Sequence, residues 1–146
     1  MGEVVSDDLL IDNSAWSHIV QRSISQDRLT DVADAIRAGR IHVSLPFLLE
    51  AGYSARSGAD HEQLMAELGA LPLAPLDAEA TSLTLAGQAE LAASGHHRLP
   101  PVDLIIAALA SRHGLGVLHY DADFDLISTH TTLRFESVWL APRGSV

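Results

Sequence analysis

The chain has 146 residues, 47% of them hydrophobic, which is enough for one well-buried core and too short for two ordinary domains, so we expect a single domain over residues 1–146. It contains no cysteine, which excludes disulfides, zinc ribbons, thiol nucleophiles and iron–sulfur clusters. The net charge of −10 comes from 9 basic residues, all arginine, and 19 acidic ones, and such a balance disfavours a general affinity for nucleic acid.

Short apolar runs alternate with helical segments along the whole chain. The pattern predicts strands over Leu9–Ile11 and over residues 41–43, 71–76, 116–120 and 135–140. It predicts helices over residues 15–23, 27–38, 44–53, 60–68, 77–95 and 100–114, with caps at Asn13 or Ser14, Ser44 and Asp77. Strands separated by helices are typical of an α/β layer fold with a mainly parallel sheet, whose ligands bind beyond the carboxyl ends of the strands.

Four acids stand where this pattern makes them conspicuous. Asp12 directly follows the first strand, and Asp121 directly follows the strand over residues 116–120. Glu50 lies in an apolar helix between leucine and alanine, and Asp103 stands in the first turn of another apolar helix. Each has a simple structural alternative, since the aspartates could cap helices or complement helix dipoles and Glu50 could face water.

Taken together, these acids indicate a metal site. In a parallel topology they converge at one edge of the sheet, where unpaired carboxylates repel one another and raise each other's pKa. Hard oxygen ligands favour Mg²⁺ or Mn²⁺, which are held by a few carboxylates, waters and substrate phosphate oxygens. The residues alone therefore indicate a possible metal-dependent hydrolase.

The segments around these acids resemble the motif set of PIN-domain nucleases, and of VapC toxins in particular. The four matching segments, in chain order, are LLIDNSAW at 9–16, LPFLLE at 45–50, RLPPVDLIIAA at 98–108 and VLHYDADFD at 117–125. The third is the most specific, because an Asp followed by an apolar helix rich in Ile and Ala is typical of the family. The four segments occur in order and span most of the chain.

The resemblance implies a PIN-like three-layer α/β/α fold with a mainly parallel sheet. It implies that Asp12, Glu50 and Asp103 bind Mg²⁺, with Mn²⁺ as a possible substitute, that Asp121 is the fourth acid and that Asp123 supplements it. Two acids follow the fourth segment's first Asp, so which of Asp121 and Asp123 is the main ligand stays open, and we rank Asp121 first. Asp125 is expected on the solvated side of a short helical turn.

The resemblance also implies an endoribonuclease toxin that acts in the cytoplasm as a homodimer. Its substrate would be RNA, and its partner a VapB antitoxin whose C-terminal segment occupies the active-site groove and forms a heterotetramer or larger complex. Two alternatives differ in kind: an inactive interaction module with the same fold, and a nuclease acting on structured DNA. Consistent with the expected location, no apolar run approaches the ~20 residues that span a bilayer, and no secretory signal pattern is present at the start.

Weaker candidates surround these acids. Ser14 could hydrogen-bond within the site or cap the first helix, and Arg22, Arg56 and Arg98 could contact phosphate or simply be solvated. Trp16 and Trp139 could stack on bases, but core packing is the better expectation. The eight histidines show no spacing suited to zinc, and phosphate-loop and serine-hydrolase motifs are missing from the sequence.

Overall fold

The structure, a computed structural model, describes residues 8–146 and contains four strands and seven helices within that range. The strands are β1 Leu9–Ile11, β2 Ile41–His42, β3 Gly116–His119 and β4 Ser137–Trp139. The helices are α1 Asn13–Gln21, α2 Gln26–Arg37, α3 Leu45–Tyr53, α4 Gly58–Leu68, α5 Ala78–Ala93, α6 Pro101–His113 and α7 Asp123–His130. None of these helices is long and apolar enough to cross a membrane.

The four strands form one parallel sheet in the order β2-β1-β3-β4. Ile11 pairs in register with Leu118, which in turn pairs with Val138, so the last residues of β1 and β3 end side by side. The backbone N–H of Asp12 continues this ladder by donating to the carbonyl of Leu118 at 3.0 Å. The sheet is therefore fully parallel, and the chain segments that leave β1 and β3 start at the same edge.

Helices cover both faces of the sheet, which confirms the predicted three-layer arrangement. Leu9 and Leu118 line a cleft together with Val32 and Ala35, so α2 covers their face. On the opposite face, the ring of His119 packs against the ring of Phe124 in α7, with 4.8 Å between the ring centroids. On this face α6 also packs against β1, β3 and α7. A sheet covered on both faces explains why β1 is a continuous apolar run and why β3 is buried along its whole length.

An outer helix, α5, packs closely against α6. At Gly87, a Cβ atom would lie 3.2 Å from side-chain carbons of Leu104 and Leu133, so only a hydrogen fits there without local movement. The N-terminus of α5 is capped by Asp77, which accepts the backbone N–H of Ala80 at 2.9 Å, as the sequence predicted. This close contact packs α5 against the helix that carries Asp103.

Three local predictions differ from the structure. Residues 71–76 form no strand and contribute only one isolated bridge, between Leu73 and Val43, because Pro72 and Pro75 have no backbone N–H for a ladder. The first helix begins at Asn13, two residues earlier than expected, and its cap is Asp12. Ser44 does precede α3, yet its hydroxyl makes no capping bond and is buried without a hydrogen-bond partner among residues 8–146.

Candidate metal centre

Asp12 lies at the junction of β1 and α1 and is 3% exposed. Its Oδ2 atom accepts the backbone N–H of Ser14 at 2.9 Å, so the carboxylate both caps α1 and is held in one orientation. Its Oδ1 atom is buried and has no hydrogen-bond partner in the structure. Because a buried, unpaired carboxylate oxygen is costly, this atom fits a role as a cation ligand.

Glu50 and Asp103 approach Asp12 from two helices. Glu50 lies in the second turn of α3 and is half-buried, and the charge of Asp12 is close enough to raise its pKa after the larger effect of burial. Asp103 lies in the first turn of α6 and is 8% exposed. The negative charges of Asp12 and Glu50 both raise the pKa of Asp103, so the three acids share one electrostatic environment.

Asp121 and Asp123 follow β3 and complete the group. One carboxylate oxygen from each of Asp103, Asp121 and Asp123 can be chosen so that all three lie within 4.8 Å of one another. The Oδ1 atom of Asp121 accepts the backbone N–H of Asp123 at 2.9 Å, which links the two side chains at the start of α7. Asp121 and Asp123, the two candidates for the fourth metal ligand, therefore both lie beside Asp103.

The electrostatics of the cluster are those of carboxylates without a counter-charge. Burial, followed by the charges of Asp12, Asp121, Asp123 and Glu50, raises the pKa of Asp103 to about 8. Burial also raises the pKa of Asp12 and Asp123. None of the ion pairs formed among residues 8–146 involves these acids. A divalent cation would supply the missing charge, and the all-oxygen donor set suits Mg²⁺ or Mn²⁺.

Ser14 lies inside the site. Its hydroxyl oxygen accepts the backbone N–H of Tyr120 at 2.9 Å, and hydrogen bonds from both its backbone and its side chain lower the pKa of Asp12 against the effect of burial. The capping role that we considered for Ser14 belongs to Asp12 instead. Ser14 therefore connects the first acid of the chain to the segment that presents Asp121.

The three arginines differ in their positions. Arg56 lies beside a groove of about 410 Å³ that is also lined by Asn13 and Trp16, so it is near the residue that follows Asp12. Arg22 lines a cleft between α1 and α2, which none of the acids reaches. Arg98 is exposed in the loop before α6. Within residues 8–146, no hydrogen bond or ion pair joins these arginine side chains to the acids of the site.

Trp16 packs edge-on against Phe47, as expected of a core residue.

Sequence reasoning missed a buried hydrogen-bonded chain beside Asp121. His119 is fully buried, and burial lowers its pKa to about 4, so its ring is neutral near pH 7. The expectation for Asp125 was wrong, because its carboxylate is half-buried and accepts from Ser137 Oγ at 2.6 Å and from Trp139 Nε1 at 3.0 Å. The only signal in the sequence was the placement of polar residues inside two short strands.

An open apolar groove of about 570 Å³ adjoins Glu50. Its walls come from α3, α6 and the loop before α5, and its lining includes Leu45, Leu49, Tyr53, Leu76 and Ile105. Leu45, Leu49, Tyr53 and Leu76 are all exposed along it, so they form a contiguous apolar patch of the kind that is found at binding surfaces. One edge of the acidic site therefore borders an apolar surface.

Comparisons with known proteins agree with this arrangement. The PIN domain family model matches residues 9–129. The chain is 35% identical to ribonuclease VapC18 of Mycobacterium tuberculosis over 139 residues, which cover 93% of this chain and 97% of that protein. It is 39% identical to ribonuclease VapC2 of the same species over 124 residues, or 79% of this chain and 88% of the relative.

A solved structure shares the fold. A chain in the crystal structure of DNA-bound VapBC from Salmonella typhimurium superposes with a TM-score of 0.72 and 19% sequence identity, covering 92% of this chain and 98% of that chain. FitAcB from Neisseria gonorrhoeae gives a TM-score of 0.65 at 17% identity, covering 90% of this chain and 96% of that one. With the family model and the curated relatives, these findings show that the chain belongs to the PIN-domain family and, within it, to the VapC ribonucleases.

Proposed function

We propose that this chain is an endoribonuclease toxin that needs Mg²⁺, with Mn²⁺ as a substitute, and hydrolyses phosphodiester bonds in RNA. The observation that supports this most directly is the grouping of acids from separate segments. Asp103, Asp121 and Asp123 can place one carboxylate oxygen each within 4.8 Å of one another, and the charges of Asp12 and Glu50 are close enough to raise the pKa of Asp103. The relatives named as VapC ribonucleases support RNA as the substrate class.

In this proposal Asp12, Asp103, Asp121 and Asp123 hold the cation, and Glu50 completes the site from α3. A bound divalent ion supplies positive charge for the phosphate and lowers the pKa of a coordinated water. The acids also exclude an RNA backbone from the site until that charge is present, because a cluster of unpaired carboxylates repels phosphate. Arg56 is the best placed of the three arginines to contact the RNA, while Arg22 and Arg98 are more remote candidates.

The experiment is an RNA cleavage assay with a matched pair of variants. Glu50→Gln removes an acid of the site while keeping its size, whereas Glu62→Gln makes the same change at an exposed position of α4. We expect Glu50→Gln to lower the rate at least about 100-fold, a typical effect of losing an acid that organises the reaction, and Glu62→Gln to leave it unchanged. EDTA should abolish cleavage by the unmodified protein, and Mg²⁺ or Mn²⁺ should restore it.

Other outcomes would reject the proposal in distinct ways. Cleavage of DNA flaps without cleavage of RNA would support the structured-DNA alternative. A folded protein that cleaves neither would support an interaction module.

We also propose that a VapB antitoxin neutralises the enzyme by placing a segment in the apolar groove beside Glu50. The groove is lined by exposed leucines and Tyr53 and ends at the acids, so it suits an apolar segment with a basic side chain at one end. The VapBC complexes among the similar structures support a partner of this kind. Homodimerisation, which the family resemblance implies, is part of the same proposal and is tested by the mass of the protein in solution.

The groove proposal predicts that Leu49→Asp weakens inhibition by the cognate antitoxin at least about tenfold, because it places a charge in an apolar contact. Leu85→Asp is the matched control, since Leu85 is 65% exposed on α5 and does not line the groove. The measurement is the antitoxin concentration that halves RNA cleavage. Equal inhibition of both variants would contradict the proposed docking site.

A further inference from the structure

His119 occupies the last position of β3, and both of its ring nitrogens are in hydrogen-bond contact. Its Nδ1 atom lies 3.1 Å from the backbone nitrogen of Asp121, and its Nε2 atom lies 2.7 Å from Ser137 Oγ. The ring is fully buried between Phe124 and Trp139, whose ring centroids lie 4.8 and 5.0 Å away. Because neither nitrogen is free, His119 does not contact a cation or a substrate directly.

The hydrogen bonds fix the position of every proton in this group. A backbone N–H can only donate, so Nδ1 of His119 must accept the proton of Asp121. The neutral ring then has its proton on Nε2 and donates to Ser137 Oγ, whose own proton goes to Asp125 Oδ1 at 2.6 Å. The carboxylate of Asp125 can only accept, and its second oxygen accepts from Trp139 Nε1. Asp125 therefore selects, through Ser137, the tautomer that can hold the Asp121 amide.

This contact bears directly on the proposed metal site. The peptide group that His119 holds is the one that precedes the Asp121 side chain, and the preceding amide, that of Tyr120, is held by Ser14. Asp121 in turn accepts the N–H of Asp123, so the position of one backbone segment determines where two of the acids beside Asp103 lie.

We propose that His119, oriented by Asp125 through Ser137, is a positioning residue that sets Asp121 and Asp123 at the distance from Asp103 needed to share a cation. This inference rests on the proposed function and deepens it. It assigns a role to four residues that lie outside the set of acids and form one continuous hydrogen-bonded chain, His119, Ser137, Asp125 and Trp139.

The test distinguishes the contributions of the two ring nitrogens of His119, Nδ1 toward Asp121 and Nε2 toward Ser137. In His119→Asn, the amide oxygen can replace Nδ1 as the acceptor for Asp121 but cannot reach Ser137. In His119→Gln, the longer amide can reach Ser137 but leaves the Asp121 N–H without its acceptor. Both variants remove the same aromatic ring, so they share the loss of packing against Phe124 and Trp139. Ser137→Ala interrupts the chain while leaving His119 in place.

Two measurements on the full chain without RNA give the result, namely hydrogen exchange of the Asp121 amide and the Kd for Mg²⁺ by calorimetry. We expect His119→Gln to speed exchange at Asp121 and weaken Mg²⁺ binding about tenfold or more, a typical loss when the support of a metal ligand is removed. His119→Asn should stay within about threefold of the unmodified protein in both measurements, and Ser137→Ala should fall between the two.

Equal losses in His119→Asn and His119→Gln would overturn the inference, because packing alone would then explain the effect. Unchanged exchange at Asp121 in His119→Gln would overturn it as well. An unmodified protein that binds no Mg²⁺ at millimolar concentration and cleaves no RNA would instead overturn the proposed function. If a His119 variant does not fold, Ser137→Ala still tests whether the hydrogen-bonded chain positions Asp121, since it removes only a hydroxyl.

Discussion

Asp103 is the residue on which the electrostatics of the cluster converge. It is almost fully buried, and four other carboxylates contribute to raising its pKa to about 8. The fold keeps this acid in place although its ionisation is unfavourable without a cation. A structural role alone would not require a carboxylate at this position, since the neutral amide of asparagine has nearly the same shape.

The raised pKa of Asp103 predicts how stability depends on pH in the metal-free protein. The folded-state pKa of about 8 lies above the ordinary value of 3.8, so between these pH values the folded chain binds more protons than the unfolded chain. The free energy of unfolding should therefore fall as pH rises from about 4 to 8 in the presence of EDTA. Asp103→Asn should reduce this slope, to which Asp12, Glu50 and Asp123 also contribute, and stabilise the metal-free protein at pH 8 by on the order of 1–3 kcal/mol.

Urea denaturation at a series of pH values measures this effect. Asp31→Asn, at an exposed position of α2, is the control and should leave the slope unchanged. The same reasoning predicts that Mg²⁺ binding below pH 8 releases a proton and becomes tighter as pH rises. A metal-free stability that does not depend on residue 103 would contradict the proposed electrostatics.

At the scale of elements, the site depends on how α1 and β3 are joined. Ser14, in the first turn of α1, accepts the backbone N–H of Tyr120 just after β3, and it also hydrogen-bonds Asp12. The contact with Tyr120 joins segments more than a hundred residues apart in the sequence. It is absent from any local pattern, which is why the sequence left the role of Ser14 open between a cap and a site residue.

Ser14→Ala tests this junction. It leaves the half-buried amide of Tyr120 without its acceptor, which should cost about 1–2 kcal/mol of stability, and it should lower the rate of RNA cleavage because Asp12 and Asp121 lose a shared support. Ser17→Ala is the control, because within the described part of the chain its hydroxyl makes a single long hydrogen bond, 3.3 Å, to the carbonyl of Ser14. Equal effects of the two substitutions on cleavage would contradict a special role of Ser14.

The elements also show what local patterns can and cannot predict. Asp12, Glu50 and Asp103 could be found because each interrupts an apolar segment or ends a strand, and the cost of burying a charge makes such positions conspicuous. Residues 71–76 were mistaken for a strand because apolar composition does not distinguish a strand from an extended loop, and Asp125 was mistaken for a solvated residue because its partners come from β4. His119 was missed because its role depends on both Ser137 and the backbone of Asp121.

At the scale of the whole molecule, the acidic cluster accounts for part of the net charge of −10. Five of the acidic residues lie close together at the carboxyl edge of the sheet, where the charges of four of them raise the pKa of the fifth, Asp103. In the proposed function, this cluster is a preformed binding site for positive charge. Several arginines that could offset the acids lie elsewhere, since Arg37 and Arg112 form ion pairs away from the cluster.

A preformed site predicts that Mg²⁺ stabilises the folded chain. At a Mg²⁺ concentration ten times Kd, mass action contributes about 1.4 kcal/mol, which for a chain of this size raises Tm by about 3–6 °C. Thermal scans with MgCl₂, and with KCl at matched ionic strength, measure the shift. Asp12→Asn should reduce the shift strongly, and an equal shift in that variant would show that the ion acts on the general surface charge.

The parallel topology has a consequence for the newly made protein. Along the chain, the proposed ligands occur at residues 12, 50, 103, 121 and 123. β3 must pair with β1 before Asp121 and Asp123 lie near the other acids. No fragment released from the ribosome before that point contains the full set of acids. In the proposed function, catalytic competence therefore arises in a single step, when the segment that carries residues 116–123 joins the first strand.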